Sequence, residues 1–265
     1  MLKVVTIQFN PIFLDLNENR KKIRNLIKKT IKKREPTLIV LPELAFSGYN
    51  FENPDQVKLT GEIIPTSESC KMLENLSTEY GIFIVAGINE KVEEEFYNSA
   101  VVFGPKGYIM TYRKLQLYAQ EKDFFLPGDL PLQTFNIEKF KIGVMVCFDW
   151  FFPEIPRALA LGGADLICHP MNAVIPDGAY MGDLFHAKWN RIFIALANRI
   201  GEERNLKFIG RSTIIDPTGK VLAQASTDKE EIISVEIDPL LARNKELNKY
   251  NHLFNDRRTD FYKLD

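Results

Sequence analysis

Short runs with almost no polar positions dictate what this chain can become. VVTIQ at 4–8, LIVL at 38–41, IFIVAGI at 82–88, KIGVMV at 141–146, LIC at 166–168 and FIALA at 193–197 leave no consistent face for water. Strands of that kind are covered on both sides, by helices or by a second sheet. The intervening segments supply helices. In 17–34, Ile23, Leu26, Ile27 and Ile31 recur at helical spacing, and 68–80, 155–161 and 182–191 are read as further helices. Residues 98–103 and 108–112 flank Gly104-Pro105-Lys106-Gly107, which is turn chemistry, and predict a hairpin. Strands are expected at 208–215, at 221–222 after the Asp216-Pro217-Thr218-Gly219 turn, and at 231–237. No low-complexity linker interrupts the pattern and no period repeats. The reading is one α/β domain over 1–265, with a polar tail, 239–265, that packs on the body or on a partner subunit.

Charge and cysteine usage narrow the function. Lys+Arg is 34 and Asp+Glu is 35, so the net charge is −1, which argues against a nucleic-acid partner. The basic run RKKIRNLIKKTIKKR at 20–34 is read as the wet face of an outer helix. No window approaches the ~18 apolar residues of a membrane span, and the N-terminus is too polar after Phe9 for a secretory signal. Three cysteines with no CxxC give neither a disulfide framework nor a zinc ribbon. The expectation is a cytoplasmic enzyme in which any special cysteine is a nucleophile.

Three positions can do chemistry. Glu43, in LPELAFSGY, follows a buried strand and Pro42, and strand ends are rigid and open into clefts. Lys114, in YRKLQL, follows another strand among apolar neighbours. Cys147, in GVMVCFDWFFPE, ends a strand shortly before a Pro153-Glu154 helix start, in the context of a nucleophile elbow. Carboxylate, ammonium and thiol are the base, oxyanion stabiliser and nucleophile of acyl transfer. No histidine follows the cysteine as in a Cys-His protease, and no GxSxG is present. His169 adjoins Cys168, but strand neighbours face opposite ways, so no metal site is expected there.

With these three motifs in order, the chain resembles the nitrilase superfamily, the carbon–nitrogen hydrolases. EFYNSAVVFGPKG, ANRIGEE and DPTGKVL extend the likeness along nearly the whole chain. The resemblance implies a four-layer αββα sandwich and an αββα–αββα homodimer formed through the helix after the cysteine, with tails crossing between subunits. It implies a Glu43–Lys114–Cys147 triad, with Glu121 as a second carboxylate. The activity implied is hydrolysis of a small amide or nitrile through a cysteine thioester, with neither metal nor organic cofactor. Three departures bear on substrate. Gln116 stands where many relatives have histidine, Phe151 where many have arginine, and His186-Ala187-Lys188-Trp189-Asn190 replaces R-A-x-E-N. Losing that arginine favours neutral or weakly polar substrates. Asn172, Ala173, Trp150 and Phe151 are candidate pocket walls. The alternatives are a glutamine-type amidase subunit of an amidotransferase and a non-catalytic scaffold on the same fold.

Overall fold

The structure is a computed structural model and describes residues 1–31 and 36–262. The last residues of the expected helix and basic run (32–34) and of the tail (263–265) lie outside the described residues. The first half comprises Leu2–Gln8 (β1), Leu16–Thr30 (α1), Thr37–Val40 (β2), Pro54–Thr60 (α2), Glu68–Tyr80 (α3), Phe83–Val92 (β3), Glu95–Gly104 (β4) and Gly107–Arg113 (β5). The second comprises Thr134–Ile137 (β6), Phe140–Val144 (β7), Glu154–Leu161 (α4), Leu166–Pro170 (β8), Gly178–Asn190 (α5), Phe193–Ala197 (β9), Ile200–Glu203 (β10), Leu206–Ile209 (β11), Thr213–Ile215 (β12), Val221–Gln224 (β13) and Glu231–Ile237 (β14).

Two six-stranded sheets carry the molecule, ordered β14-β1-β2-β3-β4-β5 and β13-β12-β9-β8-β7-β6. Each has a parallel centre, β1-β2-β3 in one and β7-β8-β9 in the other, with antiparallel flanks. Side-chain alternation sorts the apolar residues into layers. Leu2, Val4, Leu38, Val40 and Val85 face inward and meet Ile142, Val144, Leu166, Cys168 and Ala195 between the sheets. Val5, Ile7, Ile39 and Ile84 face outward, under Ile23 and Ile27 of α1 and Leu73 and Leu76 of α3. Ile167, Ile194 and Ile215 face outward on the other sheet, under Ile155 and Leu159 of α4 and Ala187 of α5. The expected αββα sandwich is the architecture found.

Boundaries moved where a turn or an unpatterned segment decided them. The expected strand 208–215 is two elements. Gly210, at φ +60°, breaks it, sending β11 to pair with β10 and β12 to pair with β9. The strand expected to reach residue 146 ends at Val144, because Val146 begins the turn to Cys147. α5 begins at Gly178, earlier than its apolar periodicity suggests, and Arg191 ends it in a left-handed cap. Short or polar segments hid α2, β6 and β10 from a reading of apolar runs. The start of the tail packs on the body. Arg243 pairs with Asp165, and Lys245 Nζ donates to the carbonyls of Asn190 and Arg191, both at 2.8 Å.

Topology delivers two strand ends to one place. β4 runs antiparallel to β3, and β5 runs antiparallel to β4. The C-terminal end of β5 therefore lies on the same side of the sheet as the end of β2. Gly87 of β3 lets the Pro42-Glu43-Leu44 turn lie flat on the sheet, donating to the Pro42 carbonyl at 3.1 Å. A Cβ at Gly87 would stand 2.4 Å from both Glu43 Cα and Leu44 N. Backbone cannot yield there as a flexible side chain can. Gly87→Ala is expected to destabilise the fold by about 1–3 kcal/mol, the cost of an overpacked site. Thermal unfolding checks this, and an unchanged melting temperature would refute the packing argument.

Candidate active site

The Lys114 ammonium, fully buried, lies between two carboxylates. Its Nζ is 2.8 Å from Glu43 Oε1 and 2.7 Å from Glu121 Oε1. Asn98 Nδ2, on β4, donates to the same Glu43 oxygen at 2.7 Å. Tyr49 OH donates to Glu121 Oε1 at 2.7 Å, and the Tyr118 N–H donates to Oε2 at 3.3 Å. Glu43 Oε2 is buried and accepts no hydrogen bond. Burial opposes the charge on Lys114, but the Cys147 sulfur, Glu121 and Glu43 outweigh it and hold the ammonium well above the usual lysine range. Burial pushes Glu121 up against the pull of Lys114. Burial, then the charges of Glu121 and Glu43, raises Tyr49 well above its usual value, so its hydroxyl remains a donor.

Cys147 opens a 3-10 turn, Cys147–Phe151, with φ at +45°. That left-handed backbone is costly for a residue with a Cβ and persists only where the surroundings enforce it. Two buried groups do so. Asp149 accepts from the Val146 N–H at 2.9 Å, the Gln116 N–H at 2.9 Å and Tyr112 OH at 2.7 Å. Below the turn, His169 Nε2 lies 3.0 Å from the Cys147 carbonyl oxygen, and Nδ1 lies 2.7 Å from Asp183 Oδ2. Carbonyl and carboxylate both accept, so the two contacts are satisfied together when both ring nitrogens donate, as they do in an imidazolium. Burial opposes that charge, while Asp183, the Cys147 carbonyl and Asp149 favour it, leaving the imidazole above its ordinary value. The thiol itself is pushed well up by burial and by Glu43, and drawn back by the Lys114 cation and a hydrogen bond from the Asn172 N–H.

Cys147 lines a cavity of about 270 Å³ whose walls include Phe148, Trp150, Phe151, Met171, Ala173 and Ile175. Among the described residues, no Asp, Glu, Lys, Arg or His lines it. Among the described residues no group of three or more His, Cys, Asp or Glu side chains could hold a metal ion. The arrangement suits attack by sulfur on an electrophilic carbon, with a carboxylate to carry the proton and an ammonium to meet developing negative charge.

Each residue singled out from the sequence lies here. Glu43, Lys114 and Glu121 touch, all three act electrostatically on the Cys147 thiol, and Asn172, Ala173, Trp150 and Phe151 line the cavity. Tyr49, Asn98, Asp149 and the His169–Asp183 pair were missed. Asp149 and Tyr49 lie inside the quoted motifs, so proximity to Cys147 and Glu43 was an available signal. Nothing in a linear reading pairs Asn98 with Glu43, or His169 with Asp183.

The family profile for carbon–nitrogen hydrolases matches residues 3–245, and the chain belongs to that family. It is 46% identical over 262 residues to a nitrilase of Pyrococcus abyssi, covering 99% of each chain. It is 30% identical over 250 residues to an N-carbamoylputrescine amidase of Solanum lycopersicum, covering 85% of this chain and 83% of that one. The structure of a carbon–nitrogen hydrolase from Helicobacter pylori superposes with a TM-score of 0.86 at 28% identity, covering 98% of this chain and 96% of the other. The protein is a hydrolase of carbon–nitrogen bonds. Among the described residues, no helix is long and apolar enough to cross a membrane.

The His169 charge state has a measurable consequence. Its folded value stands above the unfolded one, so its stabilisation is complete below the ordinary imidazole value and is lost as pH rises through the folded value. Nitrogen-15 spectra at neutral pH are expected to show both His169 nitrogens protonated, with thermal stability falling on the alkaline side. A neutral tautomer would overturn the assignment.

Proposed function

We propose that Cys147 is the nucleophile, Glu43 the general acid–base and Lys114 the oxyanion stabiliser, with Glu121 positioning the lysine and the substrate. The substrate is a small nitrile or amide whose acyl part is uncharged, and the products are a carboxylic acid and ammonia or an amine. The observation that carries the reading is the buried ammonium held by two carboxylates beside a thiol at an open apolar cavity. A buried ion pair adds little net stability compared with packed apolar groups, so its presence at a cavity wall favours a chemical role.

Glu43 takes the thiol proton as sulfur attacks the carbonyl carbon, and the new oxyanion faces Lys114 Nζ and the Phe148 N–H. Glu43 returns the proton to nitrogen as the carbon–nitrogen bond breaks. It then takes a proton from water, which attacks the thioester and frees the acid and the sulfur. A nitrile enters through a thioimidate that adds water and loses ammonia on the same groups. Glutamine as substrate is disfavoured because its charged α-amino and α-carboxylate groups would find no charged partner in the cavity.

The chain is proposed to fold as one domain whose segment 239–265 packs on the body or a neighbouring subunit. Three free cysteines fit a reducing compartment, and the cytoplasm is proposed. A homodimer is proposed through α4, the helix after the cysteine, together with the adjoining α5. Phe185 and Trp189 stack there with centroids 4.9 Å apart yet are 44% and 55% exposed, beside the 60% exposed Phe151. Exposed aromatic patches of this kind are commonly covered by another chain.

Cys147→Ala is expected to abolish turnover without lowering thermal stability. Iodoacetamide should label Cys147 alone in step with inactivation, since Cys147 opens onto the cavity while Cys70 and Cys168 are fully buried. A folded, active Cys147→Ala protein would refute the nucleophile, and unlabelled Cys147 would favour a scaffold. Lys114→Ala should lower kcat by about 10²-fold or more, the effect of losing one oxyanion donor. A change confined to KM would assign Lys114 to binding instead. Sedimentation should show a dimer that Phe185→Glu with Trp189→Glu converts to a monomer, and a monomeric unmutated protein would refute the interface.

A further inference from the structure

The apolar cavity is not the only space at the reacting groups. A second chamber of about 230 Å³ adjoins it and shares Tyr49, Tyr118 and Val174 as walls. Cys147 lines the first chamber and not the second, whereas Glu121 lines the second and not the first. Around Glu121 the second chamber carries the side chains of Asn50, Gln120 and Asn205 over a floor that includes Phe124 and Phe125. Among the described residues, no lysine or arginine lines it. The two spaces thus differ in chemistry and meet where Tyr49 OH holds Glu121.

The reaction assigns them different parts of the substrate. After attack, the acyl group is bonded to Cys147 and occupies the chamber that Cys147 lines. The nitrogen must receive its proton from Glu43, which shares the Lys114 ammonium with Glu121. Nitrogen therefore faces the carboxylates, and any substituent on it extends past Glu121. Resting on the triad reading above, we infer that the second chamber is a leaving-group site, and that the enzyme cleaves N-substituted amides with an apolar acyl part and a polar, non-anionic amine part. The sulfur–carbon bond forms, the carbon–nitrogen bond breaks, the thiol proton passes through Glu43 to nitrogen, and the amine leaves through the second chamber. An amine bearing a hydroxyl or ammonium group finds carboxamide and carboxylate partners there. A carboxylate-bearing amine meets Glu121 with no cation lining the wall.

The test compares amides that share one acyl group, chosen from acetyl to phenylacetyl as the best primary amide. The N-(2-hydroxyethyl), N-propyl and N-carboxymethyl amides are then assayed by amine release with the unmutated enzyme. The hydroxyethyl amide is expected to exceed the propyl amide about tenfold in kcat/KM, the worth of one net hydrogen bond. The carboxymethyl amide should be the poorest. In Gln120→Trp and, separately, Asn205→Trp, the hydroxyethyl-to-propyl ratio should fall toward one. A propyl amide cleaved as well as the hydroxyethyl amide, or a ratio unmoved by both substitutions, overturns the leaving-group site while primary-amide hydrolysis leaves the triad standing. If the unmutated enzyme hydrolyses no amide and no nitrile, both readings fall.

Discussion

A single buried cation organises this site. Lys114 Nζ holds Glu43 and Glu121 at 2.8 and 2.7 Å, and each carboxylate reaches it from a different loop. Two carboxylates this close would repel and protonate without the ammonium, and the ammonium would deprotonate in an apolar interior without them. Removing one member of such a buried set leaves uncompensated charge, at a cost of about 3–5 kcal/mol. The loops after β2 and β5 and the 3-10 turn at Ala119–Asp123 are thereby tied to one another. Glu43 keeps its second oxygen buried and without a hydrogen-bond partner among the described residues.

The cysteine side is held by separate means. Asp149 fastens the elbow to β5 through Tyr112 and to the loop after it through the Gln116 N–H. The His169–Asp183 pair fastens the same elbow to β8 and α5. A nucleophile at φ +45° is thus anchored from both sheets. The Arg199–Glu203 pair completes the frame from the rear. Arg199 stacks on Phe208 at 4.0 Å, and Glu203 Oε2 accepts from the N–H groups of Tyr49 and Asn50 at 3.0 and 2.9 Å. That fixes the loop from which Tyr49 reaches Glu121.

Much of this was legible along the chain, for reasons visible at particular residues. β9 and β14 are read at their observed bounds because their ends are marked, by Arg191 and Asn198 in one case and Asp238-Pro239 in the other. Glu43, Lys114 and Cys147 stand out because each interrupts or ends an apolar run, whereas Glu121 lies in a polar stretch and came only with the family resemblance. Asn98 gives no such signal, since it lies within a predicted strand and its side chain has many partners open to it. His169 was set aside because strand alternation separates it from Cys168. The same alternation points it away from that core cysteine and toward the Cys147 carbonyl. At 208–215 the apolar count looked continuous, and only the left-handed turn at Gly210 divided it.

Sequence alone determined the layered α/β class and the kind of chemistry, because apolar periodicity and reactive residue types are local properties of the chain. Tertiary structure decided the rest. It set Lys114 between two acids, held His169 between Asp183 and the Cys147 carbonyl, and left two unlike chambers on either side of Tyr49 and Glu121. Those outcomes depend on distances between segments remote in the chain, and on burial that changes what a charge costs. Neither quantity exists until the sheets are stacked.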